Sequence, residues 1–502
     1  MSSGNATFYL WIDGQAVTGA EGRTFWVTNP ATEEPVYEVH EAGLSDVERA
    51  VQAAKTAFLD GRWSKLPLAE RQARLLRFAE LLEAHQDEIV EAESRQSGKP
   101  VKLVRYSDFP FSVDNLRYFA GQLRALEGQA QAEYNGAHSS WIRREPVGVV
   151  AGIAPWNYPI MMAIWKLAPA LAAGNTMILK PASITPVTAL MLGPIAQEAG
   201  IPDGVLNIIA GPGRIIGQAL VEHPDVAMIS LTGDTATGRQ IMAAGAGRVK
   251  RLHLELGGKA PAIVLDDANL DAAIRGIAVG SLVNSGQDCT AATRAYVHRS
   301  RYQDFLDGIA QVYREVRLGN PLSLSTDLGP VVSQAQWQKI DGYVAQAKAM
   351  GGQIVIGGGR PESLPRGHYY APTIITQVEQ HWPIVQEEVF GPVLVVLPFD
   401  SDAEALQKAN DVDYGLASSV WTENLRRGLW FSRELQFGEV WLNDHLPLTS
   451  EMPHGGVKQS GFGHDLSRYS LDEYTVVKHV MADLDNETVK GWHFTILGDV
   501  PE

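Results

Sequence analysis

Hydrophobic and polar positions change their period twice along this 502-residue chain. Near the start, Tyr9–Ile12 and Gln15–Val17 flank Asp13-Gly14, a pair favoured in two-residue turns, which predicts a β-hairpin. Ser45-Asp46-Val47-Glu48 reads as a capping box, and Val47, Val51, Ala54 and Phe58 then fall on one helical face. Two more helices are predicted over Leu68–Leu82 and His85–Arg95, the second stopped by Gly98-Lys99-Pro100. A further helix runs from Ser112 to about Leu126, with Val113, Leu116, Phe119 and Ala120 facing the core. Gly128–Ser140 carries little helical pattern and leads into Trp141–Arg144.

From Val147 the pattern becomes short apolar runs separated by helical stretches. Val147–Ile153, Thr176–Leu179, Leu206–Ile209, Val226–Leu231 and Leu252–Leu256 read as strands. Met162–Ala173 reads as a helix, and Thr185-Pro186 opens another with Pro in its first turn. Such repetition predicts a parallel, doubly wound sheet. Beyond Gly257 the pattern begins again with Pro261–Leu265, a helix from Leu270, Ala295–His298, and helices Arg301–Val316 and Ser333–Met350. The expected class is α/β, with two doubly wound domains and a crevice between them. Tyr474–Val480 reads as a strand far from the others, and no internal repeat is present.

Composition changes this picture mainly by exclusion. The hydrophobic share of 45% and charged share of 20% are ordinary for a soluble globular protein. A net charge of −16 argues against nucleic acid or an anionic membrane surface as partner. Met1–Thr7 lacks the apolar region of a signal peptide, and Ile160–Ala173, broken by Lys166 and Pro169, is too short to span a bilayer. A cytoplasmic location is expected. The single cysteine, Cys289, excludes an intrachain disulfide, and no Cys/His cluster has zinc spacing, so no metal is expected.

Candidate chemistry starts from that cysteine. In Gly286-Gln287-Asp288-Cys289-Thr290 polar residues and glycine precede the sulfur, as suits a nucleophile, although a lone cysteine also serves as a small core residue. The loop Pro155-Trp156-Asn157-Tyr158-Pro159 follows a strand, where ligands bind in parallel sheets. Its Asn157 amide suits an oxyanion, or only a local turn. Lys180 ends the next strand and can bond ribose or phosphate, or simply be solvated. Leu231-Thr232-Gly233-Asp234 is a strand–turn–helix start that admits pyrophosphate; neither it nor Gly211-Pro212-Gly213 with Gly217 has the GxGxxG spacing. Glu255 emerges beside Gly257-Gly258, where a partly desolvated carboxylate can act as general base or face the surface as an ordinary strand residue.

Together, Pro155–Pro159, Lys180-Pro181, Glu255-Leu256-Gly257-Gly258-Lys259, Gly286–Cys289 and Glu388-Val389-Phe390-Gly391-Pro392 resemble the NAD(P)-dependent aldehyde dehydrogenase superfamily in order and spacing, over nearly the whole chain. The resemblance implies a nucleotide-binding domain at 1–127 and 147–257, a catalytic domain at 258–473, and a small β oligomerisation element with a tail at 128–146 and 474–502. It implies Cys289 as nucleophile, Asn157 and the Cys289 N–H as oxyanion donors, and Glu255 as the base for hydrolysis. Lys166 and Asp465 match positions linked to that base's proton path, where the family more often has Glu at the second. Lys180 and Glu388 would bond the two riboses, Phe390 would pack near the nicotinamide ribose, and Gly233 would admit the pyrophosphate. Ile153, Trp156, Gly213, Gly217 and Leu256 complete the implied nucleotide contacts. Glu255 also separates this chain from relatives that pass the acyl group to coenzyme A.

Two departures bear on the cofactor. Ser183 stands where NAD-preferring relatives carry Glu, and Asp234 stands where Ser is common, near phosphate. NAD is expected, with NADP left open. Asn284–Ala292, Tyr414–Trp421 and Ser450–Gly456 are similar to bacterial 4-aminobutyraldehyde (1-pyrroline) dehydrogenases of putrescine breakdown. That similarity implies Asp288 and Asp114 as attractors of an ammonium tail and Tyr158 and Trp165 as its aromatic walls. Betaine aldehyde, succinate semialdehyde or an aromatic aldehyde are the alternative substrates, and a non-catalytic binding protein of the same fold is the alternative of another class. A homodimer or homotetramer is implied.

Overall fold

The strand Val149–Ile153 sits where the first sheet changes winding direction. The computed structural model describes residues 6–125, 130–485 and 487–498. From this strand the chain steps outward through Thr176–Lys180 and Leu206–Ile208, then crosses back to add Met228–Thr232 and Arg251–Glu255 on the other side. These five strands are parallel. Val150, Ala151, Met177, Ile178 and Leu179 are fully buried, as expected of strands covered by helices on both faces. Antiparallel edges complete eight strands: the hairpin Leu10–Ile12 and Gln15–Val17 at one side, Gly461–Phe462 at the other. The hairpin turns through Asp13 and Gly14, both at positive φ, as its sequence predicts.

The second sheet has seven strands, in the order Gln353–Ile356, Thr373–Thr376, Val393–Phe399, Ala292–His298, Ala260–Val264, Ala417–Trp421 and Glu439–Leu442. Only Gln353–Ile356 runs antiparallel. A third sheet joins His138–Pro146 to Thr475–Asp483 and Ala132–Asn135. The fold is thus α/β: two doubly wound sheets and this small β element, with a further three-stranded sheet of Ala6–Phe8, Glu34–His40 and Thr24–Asn29 and a two-stranded pair of Tyr414–Gly415 with Val457–Lys458.

Three boundaries differ from expectation, two of them read from the pattern and one implied by the resemblance. The first helix is Leu44–Asp60, capped at Gly43 and not at Ser45, because the Asp46 carboxylate accepts the N–H groups of both Gly43 and Ala20. The helix expected from Ser112 begins at Phe109, continuous with a π-type turn Val104–Asp108 where Ser112 donates back to Asp108 O. The second domain does not extend to 473. Gly461–Phe462 pairs with Leu254–Glu255 of the first sheet, and Leu466, Leu471 and Tyr474 lie in its core. This return of the chain is what carries Asp465 to the first sheet. Residues 1–5, the expected helix end at Leu126, positions 128 and 129 of the β element, and residues 499–502 of the tail lie outside the described residues.

Candidate active site

The sulfur is delivered by an unusual piece of backbone. After the helix Leu270–Leu282, Asn284, Ser285 and Gly286 all have φ between 50° and 68°. A non-glycine residue held there costs about 1–2 kcal/mol, so neighbours must hold it. Asn284 donates to the carbonyls of Asn157 (2.7 Å) and Gln287 (3.2 Å), Ser285 donates to Gly329 O, and Gln287 bonds Asn284 O and the Val332 N–H. At Gly286 a Cβ would lie 2.2 Å from Gly391 O, so only glycine fits. Cys289 emerges from this coil, half-buried against Ala260, Leu416 and Ala417.

Cys289 opens onto a cavity of about 960 Å³ between the two main sheets, a size that suits a cofactor and a small substrate together. Ile153, Trp156, Asn157, Tyr158, Trp165, Lys180, Gly233, Asp234, Glu255, Leu256, Asp288, Glu388, Phe390 and Asp465 share its wall. Lys166, Ser183, Gly213 and Gly217 do not line it; Lys166 adjoins the wall residue Asp465, and the two glycines adjoin Lys180. Asp114 does not belong to it.

At the sulfur end, Asn157 is buried and spends one amide N–H on Gln287 O at 3.1 Å, which leaves its second N–H for a ligand oxygen. Glu255 is buried with neither carboxylate oxygen hydrogen-bonded. Burial raises its pKa well above the usual carboxylate range, opposed by His454 and Lys166 and helped by Asp465. Behind it, Lys166 Nζ lies 3.7 Å from Asp465 and 3.4 Å from Ser230 Oγ, and burial lowers its pKa. His253 sits 3.8 Å from the same Asp465 and 3.1 Å from Ser230. The structure therefore brings Lys166 and Asp465 together as expected and adds His253 and Ser230. It also adds His454, whose Nε2 is 3.7 Å from Glu255 and whose Nδ1 is 3.0 Å from Glu439. His454 lies in a loop without periodicity. The only sequence signal for it was its place in Glu451-Met452-Pro453-His454-Gly455-Gly456.

At the other end of the cavity, buried Lys180 has Nζ on Pro181 O alone, and burial pulls its pKa down to about 8. The Cβ positions of Gly213 and Gly217 would lie 3.8 and 3.7 Å from the Lys180 stem. Glu388 accepts the Gly258 N–H at 2.8 Å, and burial raises it to about 7. Ser183 donates to Gly211 O at 2.7 Å. Phe390 packs edge-on against Trp156 with ring centres 5.2 Å apart. Asp234 caps the helix Thr235–Ala246, accepting from the N–H and hydroxyl of Thr237, so its carboxylate is committed to the helix start. The buried Thr232 Oγ1 has no partner. An unpaired hydroxyl, a helix N-terminus, a lysine and a carboxylate spread along one wall fit the diols and pyrophosphate of a dinucleotide.

On the substrate side, the Tyr158 hydroxyl donates to Asp288 at 2.6 Å, and Asp288 also accepts from the N–H and hydroxyl of Thr290. Among the described residues no lysine or arginine pairs with Asp288. Lys99 lies over the Tyr158 ring and is bonded to Asp108. Trp165 donates to Asn115 and faces His454. The expectation for Asp114 needs correction. It projects to solvent from the Phe109–Gln122 helix and accepts from Ser450, because its neighbour Asn115 takes the inward face.

Comparison with known proteins agrees with this geometry. The sequence matches the aldehyde dehydrogenase family over residues 17–480. The Bacillus subtilis (strain 168) protein DhaS is 41% identical over 477 residues, spanning 95% of this chain and 96% of that protein. The NAD+ complex of aldehyde dehydrogenase from Bacillus cereus superposes with a TM-score of 0.94 at 40% identity, covering 95% of this chain and 97% of that one. Betaine aldehyde dehydrogenase from Staphylococcus aureus in complex with NAD+ also gives 0.94, at 36% identity over 96% of each chain.

Proposed function

The chain belongs to the aldehyde dehydrogenase family, and from that premise we propose that it oxidises an amine-bearing aldehyde to the carboxylate with NAD, 4-aminobutyraldehyde (1-pyrroline) being the first candidate. One observation carries the reading. Cys289, Asn157 and Glu255 open onto one end of the cavity whose other end holds Lys180 and Glu388.

NAD, when bound, supplies the hydride acceptor, with Lys180 and Glu388 on its riboses. Cys289 sulfur adds to the carbonyl carbon, and the carbonyl π pair moves onto oxygen. The free N–H of Asn157 and the backbone N–H of Cys289 hold that charge. As the C=O bond reforms, the aldehydic hydrogen leaves as hydride and a thioester to Cys289 remains. Glu255 then takes a proton from water, the hydroxide oxygen attacks the thioester, and the C–S bond breaks. Lys166 and Asp465 offer that proton an exit.

The amine follows from Asp288. Its three hydrogen bonds occupy three of roughly four acceptor sites on a carboxylate, and among the described residues its charge beside Cys289 has no lysine or arginine partner. An ammonium group supplies one, with Trp165 and Tyr158 as aromatic walls. A cytoplasmic setting suits a thiol that works reduced. Self-association as homodimer or homotetramer belongs to the same reading, because Val476, Val477 and Met481 are exposed on the strand Thr475–Asp483.

Absorbance of the reduced cofactor tests both levels. With NAD, 4-aminobutyraldehyde should exceed butyraldehyde in kcat/KM, and Asp288→Asn should shrink the difference. Equal values remove the amine, and betaine aldehyde outpacing both replaces it with a quaternary ammonium. No reduction with any aldehyde overturns the activity itself.

A further inference from the structure

Cys289 and Thr290 form the centre of a tight turn, closed by the Ala291 N–H donating to Asp288 O at 3.2 Å. Turn types that share such ends differ by rotation of a peptide group, so the turn is defined only when its peptide groups are held. Asp288 Oδ1 accepts the Thr290 N–H at 2.7 Å and holds one of them. The next, at Thr290 C=O, accepts from the imidazole of His445, with Nε2 2.7 Å from the oxygen.

His445 is built into place. It is buried, with Nδ1 2.9 Å from Ser419 Oγ on the strand Ala417–Trp421 and its ring centre 4.8 Å from that of Trp441. A carbonyl can only accept, so Nε2 carries a proton. Burial lowers the pKa of the ring by more than the Thr290 carbonyl, Asp288, Glu439 and Asp444 raise it. The ring is therefore neutral, Nδ1 is an acceptor, and the Ser419 hydroxyl donates to it. On either side of His445 the backbone is left-handed at non-glycine residues, Asn443 at φ 58° and Leu446 at φ 90°. Such strain persists only where neighbours impose it, and the Asn443 side chain pairs with both the N–H and the C=O of Thr422. Gly280 faces the ring from the helix Leu270–Leu282, which leads into the coil of the sulfur. A Cβ there would lie 2.8 Å from His445 Cδ2. One imidazole thus touches the helix before Cys289 and the carbonyl after it.

We infer that His445 is a positioning residue for the nucleophile: its hydrogen bond to Thr290 O locks the Asp288–Ala291 turn and so aims the sulfur and backbone N–H of Cys289 at the aldehyde carbonyl. The inference rests on Cys289 being the nucleophile of the proposed oxidation. His445 takes no proton and acts through Thr290. Without it the Thr290 oxygen is a buried acceptor left bare, which favours rotating that peptide toward another donor. The rotation cannot stay local. Thr290 follows the sulfur directly, and its N–H and hydroxyl are both tied to Asp288. A shift of about 1 Å at a reacting atom costs about 10²-fold in rate.

Two variants separate the bond from the bulk of the ring. His445→Phe keeps a ring without a donor, and His445→Gln keeps an amide N–H near the place of Nε2. Single-turnover hydride transfer is read with NAD and 4-aminobutyraldehyde or butyraldehyde, whichever is faster in the parent. His445→Phe should slow it by about 10²-fold, and His445→Gln should return it to within about tenfold of the parent, with Kd for NADH unchanged in both. Gly280→Ala leaves His445 intact but should push its ring off Thr290 and slow the same step. Cyanylation of Cys289, the one cysteine of the chain, gives a readout that needs no aldehyde. The S–C≡N stretch should be one narrow band in the parent and in His445→Gln, and broad or split in His445→Phe and Gly280→Ala. A parental hydride rate or an unbroadened band in His445→Phe overturns the proposal, as does a His445→Gln as slow as His445→Phe. Should His445→Phe not fold, as its melting temperature will show, Gly280→Ala decides, and a parental rate and band there overturn it. A parent that oxidises no aldehyde defeats the functional reading, and the nitrile bands still decide the lock.

Discussion

The two ends of the cavity differ in how many polar groups they leave open, the nucleotide end leaving the Thr232 hydroxyl and the sulfur end several more. At the nucleotide end Lys180 rests on Pro181 O, Ser183 on Gly211 O, Asp234 on Thr237 and Glu388 on the Gly258 N–H. At the sulfur end both oxygens of Glu255, both of Asp465, one of Glu439 and Nε2 of His253 are buried without a hydrogen bond. Each such group costs about 1–3 kcal/mol when left dry. Binding surfaces can be complete before the ligand arrives, since a ligand only has to be matched. A reacting centre cannot, because water and a developing oxyanion must find open valences there. The comparison predicts that changes at the sulfur end act on rates and changes at the nucleotide end act on affinity.

Cys289→Ala gives the widest separation. Aldehyde oxidation should fall by about 10⁴-fold or more, while NADH binding followed by fluorescence stays as it was. Substantial turnover in that variant breaks the assignment of the sulfur end.

Glu255→Gln comes next and should act after hydride transfer. Steady-state turnover should drop by about 10³-fold, with a rapid burst of reduced cofactor close to the enzyme concentration. The pH dependence adds a sign. Burial holds the proton on Glu255 to higher pH than on an exposed carboxylate, and only the deprotonated form can accept one from water. Hydrolysis should therefore climb as pH rises through that raised value, and the climb should vanish in Glu255→Gln. A variant whose first turnover slows as much as its steady state would move Glu255 out of hydrolysis.

How much of this was legible in the sequence follows the same division. Short apolar runs from Val147 onward specify the buried parallel strands, because burial on both faces leaves little choice of residue. Residues next to a glycine turn or a strand end, such as Asn157, Lys180 and Cys289, could be placed from local chemistry. His454 and Glu439 could not: His454 lies in a loop, Glu439 opens the edge strand Glu439–Leu442, and their meeting depends on how the chain folds back. Asp465 was assigned from family pattern, but its route to Glu255 depends on Gly461–Phe462 crossing to the first sheet. Asp114 failed for a simpler reason. Asp114 and Asn115 are adjacent on a helix, and adjacent helical residues point in different directions.

Asn157→Ala should cost about 10²-fold in the hydride-transfer rate with KM for NAD little altered. The same side chain ties the loop at Gln287, so stability should fall by about 1 kcal/mol, seen as a lower melting temperature. A change confined to KM for NAD would place Asn157 at the wrong end.

Ser183→Glu should produce the smallest effect and the cleanest test of the nucleotide end. Ser183 does not line the cavity but follows cavity-lining Ala182 in the chain, with its hydroxyl spent on Gly211 O. A glutamate is longer by two heavy-atom steps and can reach past Ala182 to accept from ribose hydroxyls. A charge-assisted hydrogen bond contributes about 1.5–3 kcal/mol, against about 1 kcal/mol for losing the bond to Gly211. The difference predicts a KM for NAD lower by several-fold. A 2′-phosphate would meet the new carboxylate as a like charge, so KM for NADP should rise, and the ratio of the two should move further than either alone. Because no open valence at the sulfur end is touched, kcat with NAD should stay within about twofold. A fall in kcat with the KM ratio unchanged would mean that the two ends are not separable, and that Ser183 works through the loop and not through the ribose.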